Sequence, residues 1–462
     1  MDKIKFGTDG WRGIIAQDFT FENVKRAAQA IAGYLRAGGG KKAVVGYDTR
    51  FMSPQYARLC ASVLQGNGIE TVVSAAVSPT PMLSYYVKDK KMAGGIMVTA
   101  SHNPAIYNGI KFKEPYGCSS LPETTEKIEL LLDKNEPRVS EVPVGFRKKD
   151  ISGPYTKAVK KYLIDKAMRR RPLKVVVDSM YGAGGFFLQK ILKQYGHRVV
   201  TIHGEPNPLF PGINPEPIEK NLKELTKTVK ELKADIGIAT DGDADRVGIV
   251  DNKGRVLTPH QVLALLFLQI YRTRPWKGTV VKTISTTTLI NKIADRYGIP
   301  VVETPVGFKY IAKLMLDDNV LIGGEESGGN GFKNHIPERD GLLSGLLMIE
   351  MLGAQKKALS SLIADLEEEY GGYRYGRIDR QVPRDKIDRL FGKFHHKPPA
   401  KIAGRKIADI KSYDGVKFIF KGGAWLLFRA SGTEPVLRIY AEDCSSAGVR
   451  ELIGAGKRLA GI

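Results

Sequence analysis

The chain is expected to be an α/β protein: three similar α/β domains with mixed or parallel sheets, then a smaller C-terminal α+β domain. Three observations predict this. Short apolar runs that end in polar turns and lead into helical patterns recur through most of the chain. The last stretch changes character, with a hairpin, a strand and a terminal helix. And 462 residues are too many for a single hydrophobic core.

The first repeat is KAVVGYDTR (Lys42 to Arg50), leading into SPQYARLCASVLQGNG, where Ser53 reads as the N-cap, Pro54 as the first helical residue and Gly66 as the stop. LKVVVDSMYGAGG (Leu173 to Gly185) leads into FFLQKILKQYG, and GTVVKTISTT (Gly278 to Thr287) into LINKIADRYG. Strand, polar turn, amphipathic helix and glycine in succession are the signature of βαβ units. The polar, proline-containing stretch Lys134 to Pro154, the turn Asn252-Lys253-Gly254 and the pair Gly371-Gly372 mark the expected boundaries. They define domains at 1–150, 151–253, 254–370 and 371–462. In the last of these VKFIF, a Gly422-Gly423 turn and AWLLFRA read as a hairpin, followed by the strand VLRIYAE.

Composition bounds the function. Apolar residues make up 42% and charged residues 26%, as in ordinary globular proteins. The greasiest stretch, Val262 to Tyr271, is too short to span a bilayer, and MDKIKFGTDG lacks the apolar core of a signal peptide. Cys60, Cys118 and Cys444 have neither metal-ligand spacing nor the even count of a disulfide framework, so a cytoplasmic location is expected. The net charge of +22, from 71 basic and 49 acidic residues, is the outlier. A basic surface suits nucleic acid, but it also attracts phosphorylated metabolites. The clusters Lys88 to Lys91, Arg147 to Lys149 and Arg169 to Arg171 lie in no nucleic-acid-binding motif. Small-molecule partners are therefore expected rather than nucleic acid or membrane. Monomer and dimer both stay open.

In α/β sheets ligands gather at the carboxyl ends of strands, and four candidate sites lie there or on nearby loops. Asp241, Asp243 and Asp245 alternate directly after the apolar run ADIGIAT, followed by Arg246. Three carboxylates converge only if a hard cation with oxygen ligands offsets their repulsion. An EF-hand would need Gly at the sixth position and Glu at the twelfth, where the chain has Arg246 and Asn252, so that reading fails. Open coordination positions suit Mg²⁺ at a phosphate.

Ser101 lies in Thr99-Ala-Ser-His-Asn-Pro104, after GGIMV. Such a serine can be a nucleophile or phosphate carrier, or simply part of a rigid turn, and the segment alone does not choose. It has no G-x-S-x-G elbow, and His102 is too close in sequence to serve as a triad base, which argues against an acyl hydrolase. Lys111 can bring a cation to the same mouth. Arg429, Ser431, Gly432 and Thr433 combine a guanidinium, hydroxyls and glycine-exposed amides, the makings of a phosphate cradle that Arg438 can assist. Gly324-Glu-Glu-Ser-Gly-Gly329, with His335 downstream, offers groups for sugar hydroxyls or is a plain glycine-rich connector. Gly182-Ala-Gly184-Gly185 is no dinucleotide fingerprint, because the third glycine would fall on Phe187.

FGTDGWRG, TASHNP, DGDADR, GEESGG and RASGTEP occur in this order across essentially the whole chain. As a set they resemble the α-D-phosphohexomutases: phosphoglucomutase, phosphomannomutase and phosphoglucosamine mutase. The resemblance implies four domains around a deep central cleft and a phosphoserine enzyme. It implies that Ser101 carries the phosphoryl group and that Asp241, Asp243 and Asp245 hold Mg²⁺ together with an oxygen of that group. Arg246 would lie beside them, with Arg12, Lys111 and His102 near the proton transfer. Glu325 and Ser327, with Thr304, Gly307, Lys309 and His335, would meet the sugar. Arg429, Ser431, Gly432, Thr433 and Arg438 would hold the phosphate that is not being transferred. The expected reaction is reversible conversion of glucose 1-phosphate and glucose 6-phosphate through glucose 1,6-bisphosphate, which also acts as activator. Many relatives carry a histidine where this chain has Gly329, but GEES, H-I-x-E-x-D-G and Thr304-Pro-Val-Gly-Phe-Lys309 look more like the glucomutase side. Mannose and glucosamine phosphates are the alternatives, ahead of a metal-dependent sugar phosphatase or a basic nucleic-acid-binding protein.

Overall fold

The apolar runs do become strands, and the polar residues that follow them sit at strand exits in a computed structural model of the chain. It describes residues 4–7, 9–140, 147–317, 319–431 and 435–462. They form two compact units: Met1–Gly278 with Gly307–Ser361, and Thr279–Val306 with Leu362–Ile462.

The first unit holds two sheets built around parallel strands. In one, the order is Trp11–Ile14, Tyr107–Lys113, Gly94–Val98, Lys42–Tyr47, Glu70–Ser74 and Arg147–Lys149. Lys42–Tyr47 runs parallel to both of its neighbours, whereas Tyr107–Lys113 turns back antiparallel against Gly94–Val98. All of Gly94–Val98 is buried, as expected of an interior strand with helices on both faces. In the other sheet Lys174–Asp178 lies parallel to Arg198–Ile202 and to Ile236–Thr240, and Val247–Asp251 returns antiparallel. This return places the loop 241–246 between two buried strands.

Local signals act largely as read. Helix Pro259–Thr273 starts on a full capping box, Thr258 with Gln261, which satisfies two otherwise unpaired backbone donors. Helix Ser53–Gly66 corrects one expectation: its N-cap is Met52, and Ser53 is already helical. The Ser53 hydroxyl instead donates to Asp48 Oδ1 at 2.8 Å and accepts from Asn108 Nδ2 at 2.9 Å, so distant side chains use both of its hydrogen-bonding sides.

The second unit contains the parallel pair Thr279–Thr283 and Val301–Thr304, joined through helix Leu289–Arg296, and a six-stranded antiparallel sheet. In that sheet Val416–Phe420 and Trp425–Ala430 form the expected hairpin, with Gly422 at φ 92° and Gly423 at φ 93° in the turn. The α/β elements followed by an antiparallel C-terminal sheet are the fold class the sequence predicts. Among the described residues the cysteines are free, and no helix is long and apolar enough to cross a membrane.

One buried cluster in this unit has a measurable consequence. Lys417 donates to the Ile284 carbonyl at 2.6 Å and shares Glu303 with Lys282 and Lys411. Burial, reinforced by Lys282, lowers its pKa to about 7, whereas an unfolded lysine titrates near 10.4. Between these values the unfolded chain binds a proton that the folded chain does not, so stability rises with pH through this window. Relative to Lys417→Met, the slope is expected to be about 1.4 kcal/mol per pH unit. Urea unfolding at pH 7, 8 and 9 checks this; parallel curves for the two proteins would refute it.

Candidate active site

Ser101 is 1% exposed and sits with φ 51°, a left-handed conformation that costs a non-glycine residue on the order of 1–3 kcal/mol unless its surroundings impose it. They do. Its amide donates to Thr99 Oγ1 at 2.9 Å, and the Thr99 hydroxyl donates to Asp48 Oδ2 at 2.6 Å. Arg50, also 1% exposed, donates to four carbonyls of the same loop: Ser101 (2.7 Å), Asn103 (2.6 Å), Pro104 and Tyr107 (both 2.9 Å). Asp48 accepts from the Arg50 amide at 3.0 Å and lies 3.3 Å from its Nε. The serine loop is thus clamped by one buried guanidinium held on one buried carboxylate.

The Ser101 hydroxyl donates to Asp241 Oδ2 at 2.7 Å, joining residues 140 positions apart. Gly242 makes this approach possible: a Cβ there would stand 2.3 Å from the Ser101 carbonyl oxygen. Asp241, Asp243 and Asp245 are fully buried, and one oxygen from each lies within 4.8 Å of the others. Asp243 Oδ2 accepts from Thr80 Oγ1 at 2.5 Å and from Lys111 Nζ at 2.7 Å. Asp245 Oδ2 accepts from Lys111 at 3.1 Å and from Arg339 at 2.7 Å. The second oxygens, Asp243 Oδ1 and Asp245 Oδ1, have no hydrogen-bond partner. Buried carboxylate oxygens without a donor are costly, and an all-oxygen donor set of this kind fits a hard divalent cation.

The electrostatics are strongly biased. Burial alone would discharge Lys111, but Asp243, Asp245 and Asp9 outweigh it and hold the ammonium above the ordinary lysine range. Burial, then the charges of Asp245 and Asp243, push the Asp241 carboxyl well above the usual range. His102, 3.4 Å from Ser101 Oγ, is held well below its ordinary value by burial and then by Arg246, Arg12 and Lys111. It is therefore neutral at pH 7. Arg12 donates to Asn103 Oδ1 at 3.0 Å, and the Arg246 amide donates to Asp241 Oδ1 at 3.1 Å.

Glu325 and Ser327 belong to the same unit. Glu325 follows strand Val320–Gly324; its Oε1 accepts from the Gly307 amide at 3.1 Å, and its Oε2 lies 3.5 Å from Ser327 Oγ. Lys309 sits on helix Phe308–Met315, its Nζ 5.5 Å from the Tyr310 ring. His335 points elsewhere: its Nε2 meets Asp340 Oδ2 at 2.7 Å, and the Tyr155 hydroxyl donates to the same carboxylate. In the second unit, Arg429 Nε donates to both oxygens of Asp414 at 3.0 Å, and Asp414 Oδ2 accepts from the Val306 amide at 2.7 Å. Thr304, two residues before Val306, is buried. The Ser431 amide donates to the Val436 carbonyl at 2.8 Å, and Arg438 lies 3.5 Å from Asp379. Gly432 and Thr433 lie outside the described residues.

Sequence reasoning missed Asp9, Asp48, Arg50, Thr80 and Arg339. Asp9 lies inside FGTDGWRG, and Asp48 and Arg50 follow an apolar strand, so position could have flagged these three. Thr80 and Arg339 carry no local signal.

Four family descriptions match the chain in order. They are phosphoglucomutase/phosphomannomutase alpha/beta/alpha domain I over residues 3–139, domain II over 153–254, domain III over 258–370, and the C-terminal domain over 392–455. A phosphoglucomutase/phosphomannomutase of Thermococcus kodakarensis is 36% identical over 460 residues, covering 98% of each chain. A phosphoglucosamine/phosphogalactosamine mutase of Sulfurisphaera tokodaii is 31% identical, again over 98% of each. A crystal structure from Thermus thermophilus, named for phosphomannomutase, is 38% identical with a TM-score of 0.90 over 100% of both chains.

Proposed function

Since this chain belongs to the phosphoglucomutase/phosphomannomutase family, whose members are phosphotransferase isomerases, we propose that it interconverts glucose 1-phosphate and glucose 6-phosphate through phosphorylated Ser101. The observation that carries this reading is the Ser101 hydroxyl, 2.7 Å from Asp241, beside two buried carboxylate oxygens that accept no hydrogen bond.

In the first half-reaction O6 of the hexose 1-phosphate attacks the phosphorus on Ser101. The O6–P bond forms and the Oγ–P bond breaks, giving the 1,6-bisphosphate; the proton that O6 gives up is matched by the one that Ser101 Oγ takes as it leaves. Arg12, Lys111 and His102 are assigned to proton handling and charge at this point. In the second half-reaction the Ser101 hydroxyl attacks the 1-phosphate of the reoriented bisphosphate: the Oγ–P bond forms, the O1–P bond breaks, and the proton lost from Oγ is matched by the one O1 gains, leaving the 6-phosphate. Phosphoryl transfer of this kind depends on positioning and charge stabilisation. Asp241, Asp243 and Asp245 would hold Mg²⁺, which when bound would neutralise charge on the transferring group. Lys111 leaves them free to do so, because it occupies one oxygen each of Asp243 and Asp245 and not the other. Glu325 and Ser327 are assigned to sugar hydroxyls, together with Thr304, Gly307 and Lys309. Arg429, Ser431 and Arg438 are assigned to the substrate phosphate.

The reading is tested by turnover of glucose, mannose and glucosamine 1-phosphates with Mg²⁺ and catalytic glucose 1,6-bisphosphate. Glucose 1-phosphate is expected to be the best substrate, with 6-phosphate as the product. Equal rates on mannose 1-phosphate would overturn the sugar assignment, and release of inorganic phosphate in place of glucose 6-phosphate would overturn the mutase assignment.

A further inference from the structure

Arg339 is 5% exposed and meets four carboxylates. Its Nη2 pairs with Asp9 and lies 2.7 Å from Asp245 Oδ2; its Nη1 is 3.7 Å from Glu325 Oε2, and its Nε is 3.6 Å from Glu338 Oε1. The guanidinium lies 5.8 Å from the Phe308 ring centroid. One side chain therefore spans from the acidic triad to the carboxylate at the start of the 325–329 turn. Its aliphatic stem runs against Gly329. A Cβ on Gly329 would come within 2.3 Å of Arg339 Cδ and 2.7 Å of Cγ. These are mid-chain atoms of an arginine pinned at its far end, so they cannot swing aside without giving up the ion pairs. Gly329 is not at positive φ, so space rather than backbone conformation calls for glycine there.

We infer that Arg339 is a positioning residue for the mutase site, tying Glu325 to Asp245, and that Gly329 is the notch its stem requires. This rests on the assignment of Glu325 to the sugar. The physical reason is charge: without a cation between them, Asp245 and Glu325 are like charges in a buried site, and Glu325 turns away. Lysine would bring the charge on a single nitrogen, whereas arginine turns two separate Nη atoms toward Asp245 and Glu325.

The experiment is a double-mutant cycle of Gly329→Ala and Arg339→Ala in the full chain, with Arg339→Lys as a third variant. Gly329→Ala is expected to lower kcat on the order of 100-fold when Arg339 is present. The same change in the Arg339→Ala background is expected to cost no more than about 3-fold, because the clash is gone. Arg339→Lys is expected to recover part of the kcat lost in Arg339→Ala and to leave the unfolding midpoint near that of wild type. Equal effects of Gly329→Ala in both backgrounds, or wild-type kcat in Arg339→Ala, would overturn the inference. The unfolding midpoints report the coupling independently of turnover. A wild-type protein inactive on every hexose phosphate would refute the proposed function, whereas uncoupled midpoints would refute the Arg339–Gly329 notch.

Discussion

Ser101→Ala is expected to reduce mutase turnover by on the order of 10⁴-fold or more, because the bond that carries the phosphoryl group can no longer form. The substitution removes one oxygen and leaves the loop's supports in place. The clamp from Arg50 goes to backbone carbonyls, and the Ser101 amide keeps its bond to Thr99. Stability is thus expected to change by only about 1 kcal/mol, the scale of one lost hydrogen bond. Intact mass after incubation with glucose 1,6-bisphosphate is the second measurement. Wild type should gain one phosphoryl group and Ser101→Ala none. Turnover surviving in the alanine variant would end the phosphoserine reading, whatever the fate of the family assignment. The same bisphosphate label on another residue would end it as well.

Arg50→Met is expected to have the next largest effect, although Arg50 touches no reacting atom. It leaves the Asp48 carboxylate buried without its cation and four loop carbonyls without their donor. Breaking a buried pair on one side costs about 3–5 kcal/mol. Freed from the clamp, Ser101 can leave its left-handed conformation, and a shift of about 1 Å at a reacting group can cost on the order of 100-fold in rate. Asp48→Asn in the Arg50→Met background should restore part of the stability, since it removes the stranded charge, but not the rate. Urea unfolding and kcat separate the two. Recovery of both together would mean that Arg50 supports the fold alone, and an Arg50→Met protein as stable and active as wild type would refute the clamp.

How far the chain could be read without coordinates depends on the reach of each interaction. Asp241, Asp243 and Asp245 were legible because a strand exit and alternate spacing are local facts, and convergence of three carboxylates follows from them. The hairpin at Gly422-Gly423 was legible because its turn needs positive φ within two residues. Helix-start rules put the N-cap at Ser53, one residue late, because they see only the local hydroxyl and not the distant Asp48 and Asn108 that engage it. His335 was grouped with the sugar loop by nearness in sequence, yet its contacts are with Asp340 and the aromatic rings of Tyr85, Tyr155 and Tyr162.

Ser101 shows the division most clearly. Its motif, the order of the five motifs and the alternation of apolar runs with helical patterns are carried by residues close together in the chain. They were enough for the fold class and the family, and they single out Ser101 as a candidate. Its left-handed backbone, the Arg50 clamp, the glycine that lets Asp241 approach, and the arginine bridging Asp245 and Glu325 were decided only in three dimensions. Each of these joins strand exits or loops far apart in sequence. Short-range preferences select local conformations, but a buried charge takes whichever partner folding brings near, and no spacing rule encodes which one that will be.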